Sequence, residues 1–303
     1  MCLLISHSVY KKIFGRKTDP PLDEVELMGT HYEKWKDIMY DSIARLRKLE
    51  WKDLYINGVG GDKLKAMMYD AGSDKTAIMC HGYRTHHFCN TAVAAGYFLD
   101  RGYNVILLIQ RGHEGSEGNL ITFGALEHKD LLLWIDMLEE KMHLKKIVLY
   151  GISLGSNVVM RASQYLKKGG PVKAIIADCG FINTRETLYT QVVKRSKNAF
   201  QRLVFPIVFL PILRGMRFYS KKDGFDIFEG DTRKSLSKTK IPFFFLHGAK
   251  DIVVPLKDTE ENYKAYAADK EIYISKIAEH GGCFADGGEK LRKKLDEFLG
   301  RYI

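Results

Sequence analysis

From residue 75 onward, short apolar runs alternate with longer segments in which apolar residues return every three or four positions. The runs over 76–80, 105–109, 147–150, 172–177, 241–246 and 272–277 have the length and composition of strands buried on both faces of a sheet. Helical spacing covers 91–100, 125–142, 157–168 and 258–268, and a last helix is predicted over 289–302. Gly102 and the pair Gly169 and Gly170 stand where helix C-caps are expected. This rhythm predicts an α/β fold, a mostly parallel sheet covered by helices on both faces, with active residues on loops at the carboxyl ends of the strands.

The first 75 residues read differently. Runs over 51–56 and 64–69, joined by Asn57, Gly58, Val59, Gly60 and Gly61, predict an antiparallel hairpin. No helix follows those glycines, so they read as a turn and not as a phosphate loop. Trp35, Ile38, Met39, Ile43 and Leu46 predict a helix over 31–46, and residues 1–30 read as a basic arm (Lys11, Lys12, Arg16, Lys17) ending at Pro20 and Pro21, packed loosely on the main body. A second break comes at 181–240, an interval far longer than a usual crossover between strands. An inserted cap over the site accounts for it. The expected division is an arm and helix over 1–48, and a main domain over 49–303 carrying a cap insertion at 182–239.

Composition adds compartment and partners. With 303 residues, 46% of them hydrophobic, the chain can bury a large core. Five cysteines at irregular spacing are read as reduced thiols, which points to the cytoplasm. The opening run Leu3, Leu4, Ile5 is too short for a signal peptide, and the longest apolar stretch, 203–213, falls below the about 20 residues of a membrane span. The net charge of +10 is mostly local: between Asn183 and Gly224, Arg185, Lys194, Arg195, Lys197, Arg202, Arg214, Arg217, Lys221 and Lys222 face only Glu186 and Asp223. No nucleic-acid-binding motif accompanies these cations, so no nucleic-acid partner is expected.

The candidate chemistry centres on Gly151-Ile-Ser153-Leu-Gly155, which lies between a predicted strand and a predicted helix. In that setting the glycines let strand and helix approach, and a strained turn presents Ser153 as a nucleophile. A serine hydroxyl needs a base, and the base needs an orienting carboxylate. Asp251 and His280 follow two later strands and supply both, in the chain order Ser, Asp, His. Asp178 is the alternative acid; His81, His113 and His247 are alternative bases. Backbone donors for a developing oxyanion are expected at Leu154 and at Tyr83, with Gly82 allowing the bend. Cys80, His81, His86, His87 and Cys89 share that loop, but their spacing fits no standard zinc pattern, so neither metal nor cofactor is expected.

With these motifs in place, the sequence resembles the α/β-hydrolase superfamily from about residue 50 to its carboxyl end, and most closely the branch of serine aminopeptidases and acylglycerol lipases. Arg111, Gly112, His113, Glu114, Gly115 and Ser116 are similar to that branch's R-G-H-G-x-S run, with Glu114 where glycine is usual. Gly248, Asp251, Val254 and Pro255 match its G-x-x-D-x-x-V-P run. The resemblance implies an eight-stranded, mostly parallel sheet, with His81, Gly82, Arg111, His113 and Ser116 supporting the site. The expected activity is acyl transfer from a small ester to water through Ser153, His280 and Asp251. A peptidase or acyltransferase using the same residues, or a non-catalytic binding module, is the alternative. The apolar run of the cap, flanked by Arg202 and Arg214, is expected to receive an acyl chain or touch an anionic membrane surface.

Overall fold

A computed structural model describes residues 2–17, 27, 30, 32–194 and 198–303. Its eight strands are β1 (Lys52–Asn57), β2 (Lys63–Tyr69), β3 (Lys75–Cys80), β4 (Asn104–Ile109), β5 (Lys146–Ile152), β6 (Val172–Asp178), β7 (Phe243–Gly248) and β8 (Lys270–Ser275). They form one sheet in the order β1-β2-β4-β3-β5-β6-β7-β8. β2 runs antiparallel to both its neighbours and the remaining pairs are parallel. The chain order reverses between β3 and β5, and a crevice at the strands' carboxyl ends is expected there.

Alternation along the strands sorts the core into two layers. On β5, Ile147 and Leu149 enter one cluster, whereas Val148, Tyr150 and Ile152 enter the other. The first layer is closed by α4 (Glu127–Met142), α5 (Leu154–Ala162) and α9 (Leu256–Ala265); the second by α2 (Lys36–Arg47), α3 (Ala92–Leu99) and α10 (Cys283–Leu299). The helix predicted from 157 starts earlier, because the turn at Ser153 runs straight into it. The last helix also starts earlier, at Cys283, and Gly288 breaks its regularity with a φ of 47°.

Between β6 and β7 stand α6 (Thr184–Lys194), α7 (Ala199–Lys222) and α8 (Thr232–Leu236). α7 is continuous through Pro206 and Pro211, although an internal proline typically costs about 3 kcal/mol. Burial of Phe209, Leu213 and Met216 on its inner face offsets that cost. Arg195 and Lys197 of the basic cluster, like Pro20, Pro21 and His31, lie outside the described residues.

One expectation is corrected. The amino-terminal arm is not loosely packed over its described part: it forms α1 (Cys2–Phe14), whose Tyr10 and Phe14 are fully buried. Gly215 of α7 lets the two helices approach, since a Cβ there would stand 2.2 Å from Ser6 Oγ. Tyr10 donates a 2.7 Å hydrogen bond to Asp223 and stacks with Phe14. The pattern over 2–14 hid this role, because Leu3, Leu4 and Ile5 are exposed while the burying residues lie further on.

Candidate active site

β5 ends at Ile152, and Ser153 takes φ 55° and ψ −112° before α5 begins at Leu154. That left-handed φ is strained for any residue with a side chain. The turn is tight because α5 packs directly against the sheet. A Cβ on Gly155 would stand 1.9 Å from Cys80 O on β3, and one on Gly151 would stand 2.2 Å from Gly155 O. Both glycines are therefore sterically required. The Ser153 amide donates to Asp178 O at 2.9 Å, tying the turn to the end of β6.

Three side chains from remote parts of the chain meet here in hydrogen-bonding order. Ser153 Oγ lies 2.9 Å from His280 Nε2, and His280 Nδ1 lies 2.7 Å from Asp251 Oδ2. The order fits a neutral imidazole whose Nδ1–H donates to the carboxylate and whose Nε2 accepts from the hydroxyl. Asp251 is fixed from below. Its Oδ1 accepts the Val253 and Val254 amides at 2.7 and 2.8 Å, and His247 Nε2 lies 3.3 Å from its Oδ2. Burial pushes this carboxyl up, but hydrogen bonds from His247 and His280 outweigh burial and hold it below the ordinary carboxylate range.

The chain is similar to several known proteins. Residues 72–217 match the family model of the serine aminopeptidases, S33. An uncharacterized protein of Bacillus subtilis (strain 168), YqkD, is 27% identical over 226 residues, covering 74% of this chain and 70% of that protein. Among solved structures, the esterase Pf2001 of Pyrococcus furiosus is similar with a TM-score of 0.67 and 23% identity, over 95% of this chain and 99% of that one. The esterase EaEST of Exiguobacterium antarcticum is similar with a TM-score of 0.58 and 16% identity, over 82% of this chain and 100% of that one. The chain has the α/β-hydrolase fold.

The loop after β3 runs beside the serine, with the Gly82 Cβ position 3.6 Å from Ser153 Cβ. Two buried histidines hold the loop. His81 Nδ1 bonds Gly82 O at 2.8 Å, its Nε2 accepts the Gln110 amide at 3.1 Å, and burial keeps the ring's pKa well below its ordinary value. His113 Nε2 accepts the Arg84 amide at 3.1 Å. Among the described residues, neither the Tyr83 nor the Leu154 amide donates to a protein acceptor. Arg111 and Ser116 act further away. Arg111 forks onto Asp130 of α4 at 2.6 and 2.8 Å, and Ser116 Oγ accepts the Lys65 amide of β2 at 2.8 Å, so the two brace α4 and β2 against the β4 end.

The alternative acid and bases have other partners. Asp178, fully buried at the end of β6, accepts a 3.1 Å hydrogen bond from Tyr150, and burial pushes its carboxyl up to about 6. His247 stands under Asp251, with its Nδ1 2.7 Å from Thr259 Oγ1. This supporting place is one that its position in sequence, four residues before Asp251 at a strand end, did not disclose. Among the described residues, the metal-capable side chains that come within 4.8 Å of one another as a trio are Cys179, Asp251 and His280, not the set on the β3 loop. Cys80, Cys89, Cys179 and Cys283 are free and buried.

A cavity of about 530 Å³ reaches Ser153. Phe123, Phe181, Leu188, Phe209 and Val254 line it, together with Val9, Lys12 and Ile13 of α1. No motif within 2–14 marks α1 as a wall of this cavity. The β3 loop clamps it there: Tyr83 Oη donates to Ile13 O at 2.6 Å, and Arg84 Nη2 donates to Lys12 O and Gly15 O at 2.7 and 2.9 Å. Carbonyls at the end of a helix lack intrahelical partners, and a guanidinium satisfies them while opposing the helix dipole. No helix among the described residues is long and apolar enough to cross a membrane.

Proposed function

We propose that this protein is a serine hydrolase that cleaves carboxylic esters through an acyl-enzyme. The observation that carries the reading is the unbroken chain Ser153, His280, Asp251, at 2.9 and 2.7 Å, opening into an apolar cavity. Ser153 Oγ attacks the carbonyl carbon while His280 Nε2 takes its proton. The tetrahedral oxyanion is received by the Tyr83 and Leu154 amides, His280 returns the proton to the departing alkoxide, and water repeats the sequence to release the acid. The scheme asks for no cofactor. Asp251 holds the imidazole in the tautomer that can accept the hydroxyl proton.

An amide substrate is the second reading, favoured by the aminopeptidase model that the chain matches. The cavity lining argues for esters. An aminopeptidase must receive a peptide's ammonium group, and among the described residues those around this cavity include the cations Lys12 and Arg84 and no carboxylate. Free buried thiols accord with a cytoplasmic, reducing setting.

A fluorophosphonate probe tests the assignment without knowledge of the natural substrate. Wild-type protein is expected to label at Ser153 and to hydrolyse p-nitrophenyl esters faster than aminoacyl p-nitroanilides, and Ser153→Ala is expected to lose both labelling and turnover while keeping its melting temperature. Undiminished turnover in Ser153→Ala would overturn the proposal.

A further inference from the structure

α7 is apolar on two faces, and only one of them is used by the core. Phe209, Leu213 and Met216 face inward. Phe200, Ile207, Pro211 and Phe218, spaced 7, 4 and 7 residues apart, lie on the opposite side of a helix with 3.6 residues per turn. Phe200, Ile207 and Phe218 are 72%, 64% and 48% exposed. Beside this stripe, α1 presents Leu3 and Leu4, 55% and 75% exposed. Isolated exposed apolar residues need no explanation, but a stripe along a whole helix continued by its neighbour does.

The charges on the same two helices have one sign. Neither α1 nor α7 contains an aspartate or glutamate, and Lys11, Arg214, Lys221 and Lys222 are exposed along them. Lys222 Nζ lies over the Phe218 ring, 4.7 Å from its centroid, so cation and apolar stripe form one surface. We infer that the outer face of α1 and α7 docks on an anionic phospholipid surface, with the stripe in the acyl boundary and the cations at the headgroups. A second copy of this chain fits less well, because pairing like faces would bring these cations together. The inner faces of the same helices wall the cavity at Ser153, so docking would place that cavity beside the leaflet. The docking does not depend on the chemistry of Ser153.

Co-sedimentation of the Ser153→Ala protein with lipid vesicles tests the docking apart from catalysis. Vesicles containing phosphatidylglycerol are expected to retain the protein at low salt and release much of it at high salt, and phosphatidylcholine vesicles to bind it more weakly by about fivefold for each cation engaged. Ile207→Glu with Phe218→Glu should lower partition roughly tenfold or more, and Arg214→Glu with Lys222→Glu should lower binding to the anionic vesicles selectively. Tyr55→Glu, on the exposed edge strand β1, should change neither. Melting temperatures establish that each variant is folded, and the charge pair serves if the apolar pair is not. The inference is overturned by absence of binding to anionic vesicles at low salt, by unchanged binding in both paired variants, or by a lipid-free dimer that Ile207→Glu dissociates.

Discussion

Replacing Asp251 by Asn offers a test in which geometry fixes the outcome. Oδ1 of Asp251 accepts two backbone amides at 2.7 and 2.8 Å, and an asparagine can satisfy both only by placing its carbonyl oxygen there. Its amide then points at His280 Nδ1 from the Oδ2 position, where a donor meets what had been a donor. The imidazole must shift its proton to Nε2 and can no longer accept from Ser153. The opposite rotamer sets the amide against two N–H groups and loses both hydrogen bonds, each worth roughly 1 kcal/mol or more. Loss of the correct tautomer in a serine, histidine and aspartate site lowers kcat by about 10⁴, or ~5.5 kcal/mol. Asp251 is not among the residues lining the cavity, so KM should change little. Stopped-flow acylation by a p-nitrophenyl ester and the rate of fluorophosphonate labelling would both report the loss. Asp178→Asn should remain within a few-fold of wild type. A rate within tenfold of wild type for Asp251→Asn, or a collapse in Asp178→Asn alone, would refute the reasoning.

Gly155→Ala should be severely destabilising, since its Cβ would meet Cys80 O at 1.9 Å; a drop beyond the about 1–3 kcal/mol usual for overpacking, with loss of probe labelling, is the expected result in urea unfolding. The raised carboxyl of Asp178, at about 6, contributes stability that is fully present below the ordinary carboxylate value and is lost as pH rises through about 6. Asp178→Asn should therefore gain on wild type as pH climbs across that window, read as a melting-temperature difference that vanishes in acid. Phe14→Ala, removing a fully buried ring, should cost about 3–5 kcal/mol and also raise KM for longer acyl chains by loosening the α1 wall.

The sheet and the three meeting side chains were legible because each rests on a local pattern with one meaning. An apolar run marks β5, glycines bracket Ser153, and Asp251 and His280 directly follow later strands. Boundaries shifted where local chemistry outweighed periodicity: the helix after Ser153 starts through Gly155 and Ser156, both weak helix formers. Long-range packing was not legible. Nothing within 2–14 marks Tyr10 as the partner of Asp223, and the prolines of α7 argued against a helix that tertiary burial sustains. His247 was visible as a strand-end histidine, but its place under Asp251 depends on the turn that brings Val253 and Val254 back over the carboxylate.

The hydrogen bond from Tyr10 to Asp223 spans 213 positions, which sets an order of events during synthesis. At about 5–20 residues per second, the ribosome makes the first helix some ten to forty seconds before its docking partner emerges. Through that interval Tyr10 lacks Tyr219, Asp223 and Phe225, and the cavity at Ser153 lacks the wall that Phe209 supplies. The first helix to be made thus waits for a partner far along the chain, and Tyr10 of newly made molecules should become protected from solvent only after the segment around residue 223 has left the exit tunnel.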